Sequence, residues 1–457
     1  MVRRFRHAGY GCLALALLGG TALCQSADDA PLHSLLQAAR AGEMHPVESK
    51  YVGPGSCSAS ACHGGIQPRS ATRVLQNEYS TWVTADKHAH GYAALTEPLG
   101  KQIATILKIG SAEKSQRCLA CHALSVPDSE RARDFDVAEG VSCESCHGPA
   151  SQWLGPHIQP TAAHVRMVSL GLYDNKNLAL RTERCLSCHL GAPGMSVDHE
   201  LIAAGHPDLT FELDSFSAVE PPHWVEKGPD GKATTDPLFG VRAWAVGQAV
   251  ELRESMLRVS RQAKTGPWPE FSEMDCVTCH HALTGPESWR QREGYSGRRA
   301  GDPPYNLSRY VIFRHFANEV DPQLNAELAS EAGKVSALVS SMSPDRAAVE
   351  MSANHAAELA GRLAAAVQNV AYDRARTARL LAAITGDADA IAAAGERTAE
   401  QATMTVDSLY IAEAKAGGTN AETRSAIDGL FKMVNNPSAY NGPQFAAQMK
   451  KVRSTLR

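Results

Sequence analysis

The chain has 457 residues, 44% of them hydrophobic and 21% charged, with a formal net charge of -4 at pH 7. These values lie near the averages for soluble globular proteins, so neither disorder nor a membrane bundle is favoured, and the length leaves room for two domains. The unusual counts are 12 Cys and 18 His.

Residues 1–27 read as a secretory signal. Arg3, Arg4 and Arg6 form a basic start, and Cys12 to Leu18 with the small residues up to Ala22 form an apolar run too short for a membrane span. Cleavage is expected between Cys24 and Ala27, and Leu23 occupies the position where a lipid-modified Cys24 would need a small neighbour. This implies a periplasmic protein without a lipid anchor. Loss of the segment removes three Arg and no acidic residue, which takes the charge to -7. Residues 28–50 form a lead-in, with a short helix expected around Pro31 to Ala41.

The stretch 51–320 contains every Trp and the ten cysteines that remain after Cys12 and Cys24 are set aside. They fall into five pairs, each followed at once by His. Four are C-x-x-C-H: Cys118, Cys121, His122; Cys143, Cys146, His147; Cys185, Cys188, His189; and Cys276, Cys279, His280. The fifth, Cys57, Cys62, His63, has a four-residue spacer. C-x-x-C-H is the attachment pattern of c-type haem: two thiols bond to one edge of the porphyrin and the next residue is carried beneath the iron as its proximal ligand. Chance would supply on the order of 0.01 such matches at this composition. Zinc is the bland alternative, but it needs no His after each pair; five near-neighbour disulfides would make small loops that staple nothing distant. The expectation is five covalent haems c. Between the motifs, loops rich in Gly and Pro, such as Lys227 to Pro237 and Gly294 to Pro304, separate short helical pieces.

From 321 to 457 the composition turns Ala-rich, with no Cys and no Trp. Ser343 and Pro344 start a helix in which Leu359, Leu363, Val367 and Val370 share a face, and Gly386 stops it. A second helix runs to about Ala416 before Gly417 and Gly418, a third is capped by Asn420 and lasts until Pro437, and a short one starts at Pro443. The fold class is therefore mainly α: loop-rich with short helices around stacked haems, plus a C-terminal helical bundle.

The sixth ligand of each iron separates a carrier from an enzyme. Beyond the proximal five and the upstream His7, His33 and His45, ten His are available: His88, His90, His157, His164, His199, His206, His223, His281, His315 and His355. At this point the sequence resembles the multihaem cytochromes of the cytochrome c-554/c-prime type. The resemblance lies in Tyr51-Val52-Gly53, in TWVTADKHAHGYAAL around His88, in GVSCESCHGPASQWLGPH and in VDHELIAAGHPDLTFELD, and covers most of Tyr51 to His281. It implies a multihaem cytochrome c fold with haems stacked in close pairs, mostly with two His per iron. The longer first spacer and the fifth motif depart from the tetrahaem members. By the resemblance, His88 in its Asp-x-His-Ala pattern and His206 in Ala-Gly-His-Pro are distal ligands. His157 after Trp153, His199 seven residues before His206, and His223 before Trp224 complete the candidate set. His90, His164, His315 and His355 read as surface or hydrogen-bonding residues, and His281 is not favoured. Arg290, Arg292, Arg298, Arg299, Arg309 and Arg314 read as a solvated loop, with pairing to haem propionates as the alternative.

These readings point to an electron-transfer cytochrome whose partners are redox proteins, free or in a membrane-bound or periplasmic complex; the acidic charge argues against nucleic acid. The rival is a haem oxidoreductase with one open iron acting on a small nitrogen or sulfur species. The C-x-x-C-K motif of ammonia-forming nitrite reductases does not occur here.

Overall fold

Short helices, begun by polar caps, carry the first half of the chain. The computed structural model describes residues 49–69, 74–226, 236–276, 279–280, 302–341 and 343–456, and residues 45–457 pack as one unit. The signal segment, most of the lead-in with its expected helix, and most of the loops at 227–237 and 294–304 lie outside the described residues. Among the described residues there are helices and three isolated β-bridges, and no strand.

In chain order the first half holds α1 (Glu78–Ala85), α2 (Gly91–Thr96), α3 (Pro98–Leu107), α4 (Gln116–His122), α5 (Cys143–His147), α6 (His164–Ser169), α7 (Leu178–Leu186), a π-helical turn Ser187–Gly191, α8 (His199–Ala203) and α9 (Leu213–Val219). Three of these starts bear on the site. Asn177 accepts from the amides of Ala179 and Leu180 and opens α7, which leads into the fourth motif; Asp198 accepts from Leu201 and opens α8 at His199. Glu212, wholly buried, accepts from the amides of Asp214 and Ser215 and from the hydroxyls of Ser215 and Ser408, so one carboxylate both starts α9 and binds it to the C-terminal half.

The second half holds α10 (Phe239–Thr265), α11 (Ser308–Val320), α12 (Pro322–Ser340), α13 (Arg346–Asn369), α14 (Arg374–Gly386), α15 (Ala388–Ala393), α16 (Glu396–Gly417), α17 (Ala421–Val434) and α18 (Gly442–Thr455). The helix expected from Ser343 to Gly386 is two, because the chain breaks after Asn369 and Asp373 caps a new start; the first is capped by Asp345. Leu359, Leu363 and Val367 are buried, as their spacing requires. Asn420 caps α17.

The 27-residue α10 is a departure from the expected short pieces. It is buried nearly all round and lies along α13, with α7, α9, α11 and α16 packed elsewhere on it. An all-round buried helix is normally apolar, and α10 is not. Its polar groups are paired instead: Glu251 with Arg309 at 2.7 Å, Arg253 with Glu183 and with Glu254 at 3.0 Å, and Trp244 Nε1 donating to Thr405 Oγ1 at 3.0 Å.

Candidate functional site

The second and third attachment motifs bring their His to the end of a helix, and in four of the five motifs a second imidazole stands opposite the proximal one. The ring centres of His63 and His157, of His122 and His206, of His189 and His88, and of His280 and His199 are all 6.2 Å apart. A metal ion gripped by two imidazole nitrogens at about 2 Å each separates the ring centres by roughly 6 Å, since each nitrogen lies about 1 Å from its own centre. The spacing therefore leaves room for an iron in each gap. Among the described residues no three His, Cys, Asp or Glu converge into the chelating group that a structural zinc takes.

Which nitrogen is free decides what an imidazole can hold. A metal-ligating His usually gives its other N–H to a carboxylate or carbonyl, which fixes the ring. His63 Nδ1 lies 2.9 Å from Glu78 Oε2 and His88 Nδ1 lies 3.1 Å from Asp86 Oδ1. His122 Nδ1 donates to Gly91 O at 3.0 Å, His206 Nδ1 to Pro207 O at 2.7 Å, His223 Nδ1 to Pro221 O at 3.0 Å and His157 Nδ1 to Leu154 O. All six keep Nε2 available. His164 and His315 are the reverse: their Nε2 atoms are taken by Asp174 at 2.8 Å and Asp387 at 3.0 Å. His355 faces Glu331 at 3.5 Å and His90 is exposed, so these four stay outside the pairs. His281 lies outside the described residues.

The third motif has a different setting. Among the described residues no imidazole faces His147 at the 6.2 Å spacing; His223, packed on Trp224 with ring centres 4.6 Å apart, supplies the largest charge effect on it. Cys146 and His147 open onto empty space yet are enclosed by protein, so burial pushes the His147 pKa down and the Cys146 thiol up. A neutral imidazole is the form that binds metal. Large apolar side chains close to these His in sequence are exposed, namely Ile66, Ile158, Val219 and Val225, as is Phe271, whose ring centre is 5.6 Å from that of His199. Exposed apolar surface at this density marks a place that something apolar covers, and a porphyrin fits that need.

The motifs also touch one another. Cys57 lies close enough to Cys143, and Cys121 to Cys188, for their thiols to interact. Cys146 lies close enough to Cys185 for their charges to interact. Glu144, inside the third motif and buried, accepts from the amides of Val52, Gly53 and Ala150, which ties the segment before the first motif to the third. Gly140, at φ 71°, lets the chain pass beneath the His88 turn, where a Cβ would lie 3.0 Å from His88 O. His199 and His206 stand on α8 and the turn after it, which joins the second and fifth motifs.

Of the basic stretch, Arg309 is buried in α11 against Glu251 and Arg314 pairs with Asp387, so neither is a solvated loop residue; Arg290, Arg292, Arg298 and Arg299 lie outside the described residues. The backing carboxylates Glu78 and Asp86 and the arginine Arg184 are not among the site residues expected from sequence. A carboxylate two residues before a His at Asp86-Lys87-His88 was the available signal for one of them.

Residues 57–148 match the family model of cytochrome c554 and c-prime. No curated protein and no solved structure matches the chain. The matched stretch holds the first three motifs, and the resemblance read from the sequence is borne out there: residues 57–148 are similar to c-type cytochromes of that type, a family of haem-based electron carriers. No described helix is long and apolar enough to cross a membrane.

Proposed function

We propose that this chain is a periplasmic pentahaem cytochrome that passes electrons among haems closed by two histidines each. The pairs are His63 with His157, His122 with His206, His189 with His88, His280 with His199, and His147 with His223. The observation that carries this reading is the 6.2 Å spacing repeated at four of the five motifs. It includes the first motif, whose long spacer is the departure from the attachment pattern. Haem held between each pair would supply a one-electron couple.

The chain's own residues do the rest. Glu78 and Asp86 orient His63 and His88 and raise their basicity, which favours the ferric state. The thiol contacts and α8 point to the order first, third, fourth, second, fifth, in which only the third and fourth motifs are also neighbours in sequence. The partners are redox proteins, free or in a membrane-bound or periplasmic complex.

A second reading has support at one place only. The third motif, with His223 outside the 6.2 Å spacing, is where an iron could open to a small nitrogen or sulfur species. Carbon monoxide or nitric oxide titration of the reduced protein, followed by absorbance and electron paramagnetic resonance, counts the open irons. No binding supports the closed carrier, and one binding site that vanishes in no other variant than those at His147 or His223 assigns the second reading. Two or more open irons would sink the paired-histidine scheme.

A further inference from the structure

The junction between the third and fourth motifs holds a guanidinium that pairs with no carboxylate among the described residues. Arg184 stands in the last turn of α7, directly before Cys185, and its guanidinium lies over the Tyr173 ring, 4.0 Å from the centre. Tyr173 is pinned in turn: its amide donates to His147 O at 2.9 Å and its hydroxyl to Leu180 O at 2.9 Å. Arg184 is thereby fixed between the third and fourth motifs, near enough for its charge to act on Cys146, His147 and Cys188.

One turn earlier, Arg181 spends its guanidinium on Glu226 and its Nε on Asn175 O. Arg184 has no such partner among the described residues, and its Nε is buried without a hydrogen bond. Arg184 is half-buried, but its Nε is a buried donor with no acceptor, which is costly, and a planar carboxylate meets a guanidinium with two parallel hydrogen bonds. Every haem brings two carboxylates, and Arg184 stands where two haems adjoin.

We propose that Arg184 binds the propionates of the haems held at the third and fourth motifs and so sets their potentials at the junction between the two motif pairs. This rests on the paired-histidine reading above. Tyr173 is a positioning residue for it, holding the guanidinium by its ring and reporting to His147 through its amide. A positive charge at the junction favours the reduced iron on both sides and so raises both potentials together.

The test is a potentiometric titration of the full-length holoprotein, resolved into its five components. His88→Met and His223→Met mark the fourth and third components, because thioether ligation raises a haem's potential. Arg184→Gln should lower the potential of one or both marked components by about tenfold in the ferric to ferrous equilibrium, which is about 59 mV, and leave the other three in place. Tyr173→Leu, which removes the ring and no charge, should move the same components the same way by less. If neither variant moves a marked component, or if they move unmarked ones, the assignment of Arg184 is overturned. If the two Met variants mark nothing, the histidine pairing has failed instead.

Discussion

A ligand histidine is only half specified by its own position; the atom behind it supplies the other half. Asp86 is the clearest case. It is nearly buried, it caps its own turn by accepting from the His88 amide at 2.9 Å, and it meets His88 Nδ1 at 3.1 Å. Burial works to raise its pKa, but the hydrogen bonds from His88 outweigh that and hold it below the usual range, so it stays a carboxylate. Asp86→Asn keeps the shape and removes the charge. The expected outcome is an upward shift in the potential of the component that His88→Met also moves, by up to about 60 mV, a tenfold change in a one-electron equilibrium. An unchanged titration would mean that Asp86 serves only as a cap. This layer explains how much of the site could be read in advance. The attachment Cys and the proximal His are adjacent in sequence, so five motifs were legible at once. The distal His come from other segments, and what separates His157 from His164 is which nitrogen is spent, on Leu154 O in one and on Asp174 in the other. No spacing rule carries that information.

Among the elements, α10 concentrates the physics that sequence periodicity hides. Its charges fall on every face, which reads as a surface or a broken helix, yet Glu251, Arg253 and Glu254 are all buried because their partners arrive from elsewhere: Arg309 from α11 and Glu183 from α7. The Ala-rich helices were easier, since their apolar faces are local and their caps sit in the sequence beside them. Even there the break after Asn369 was missed, as helix-forming residues continue on both sides and Asp373 marks the new start. Arg253 gives the measurable case. Removing one partner of a buried pair leaves the others charged and unpaired, so Arg253→Ala should cost about 3–5 kcal/mol. Replacing Arg253, Glu183 and Glu254 together with apolar residues of similar volume should cost far less. Denaturant unfolding followed by far-ultraviolet circular dichroism compares the two, and equal losses would show that packing and not charge governs the site.

At the scale of the whole molecule, the C-terminal helices brace the later motifs. Arg258 of α10 donates to Leu190 O at 2.8 Å, just after the fourth motif, and to Glu273 at 3.0 Å, just before the fifth. Arg397 of α16 donates to Ser272 O at 2.6 Å, four residues before Cys276. A composition shift at 321 could announce a helical bundle but not these long-range braces. The same closeness that orders the motifs bears on how the protein is made. Cys57 lies against Cys143 and Cys121 against Cys188, and each contact joins thiols that belong to different attachment sites. In an oxidising compartment such neighbours form a disulfide as soon as an oxidant accepts their two electrons and the two protons leave. Exported without haem attachment, the chain should therefore trap cross-links between Cys57 and Cys143 and between Cys121 and Cys188, found by peptide mass mapping under non-reducing conditions. Recovery of bonds only within each motif would contradict this. The biosynthetic order follows: haem has to be ligated to the nascent, still open chain, because a chain that closes first has already spent the sulfurs that maturation needs.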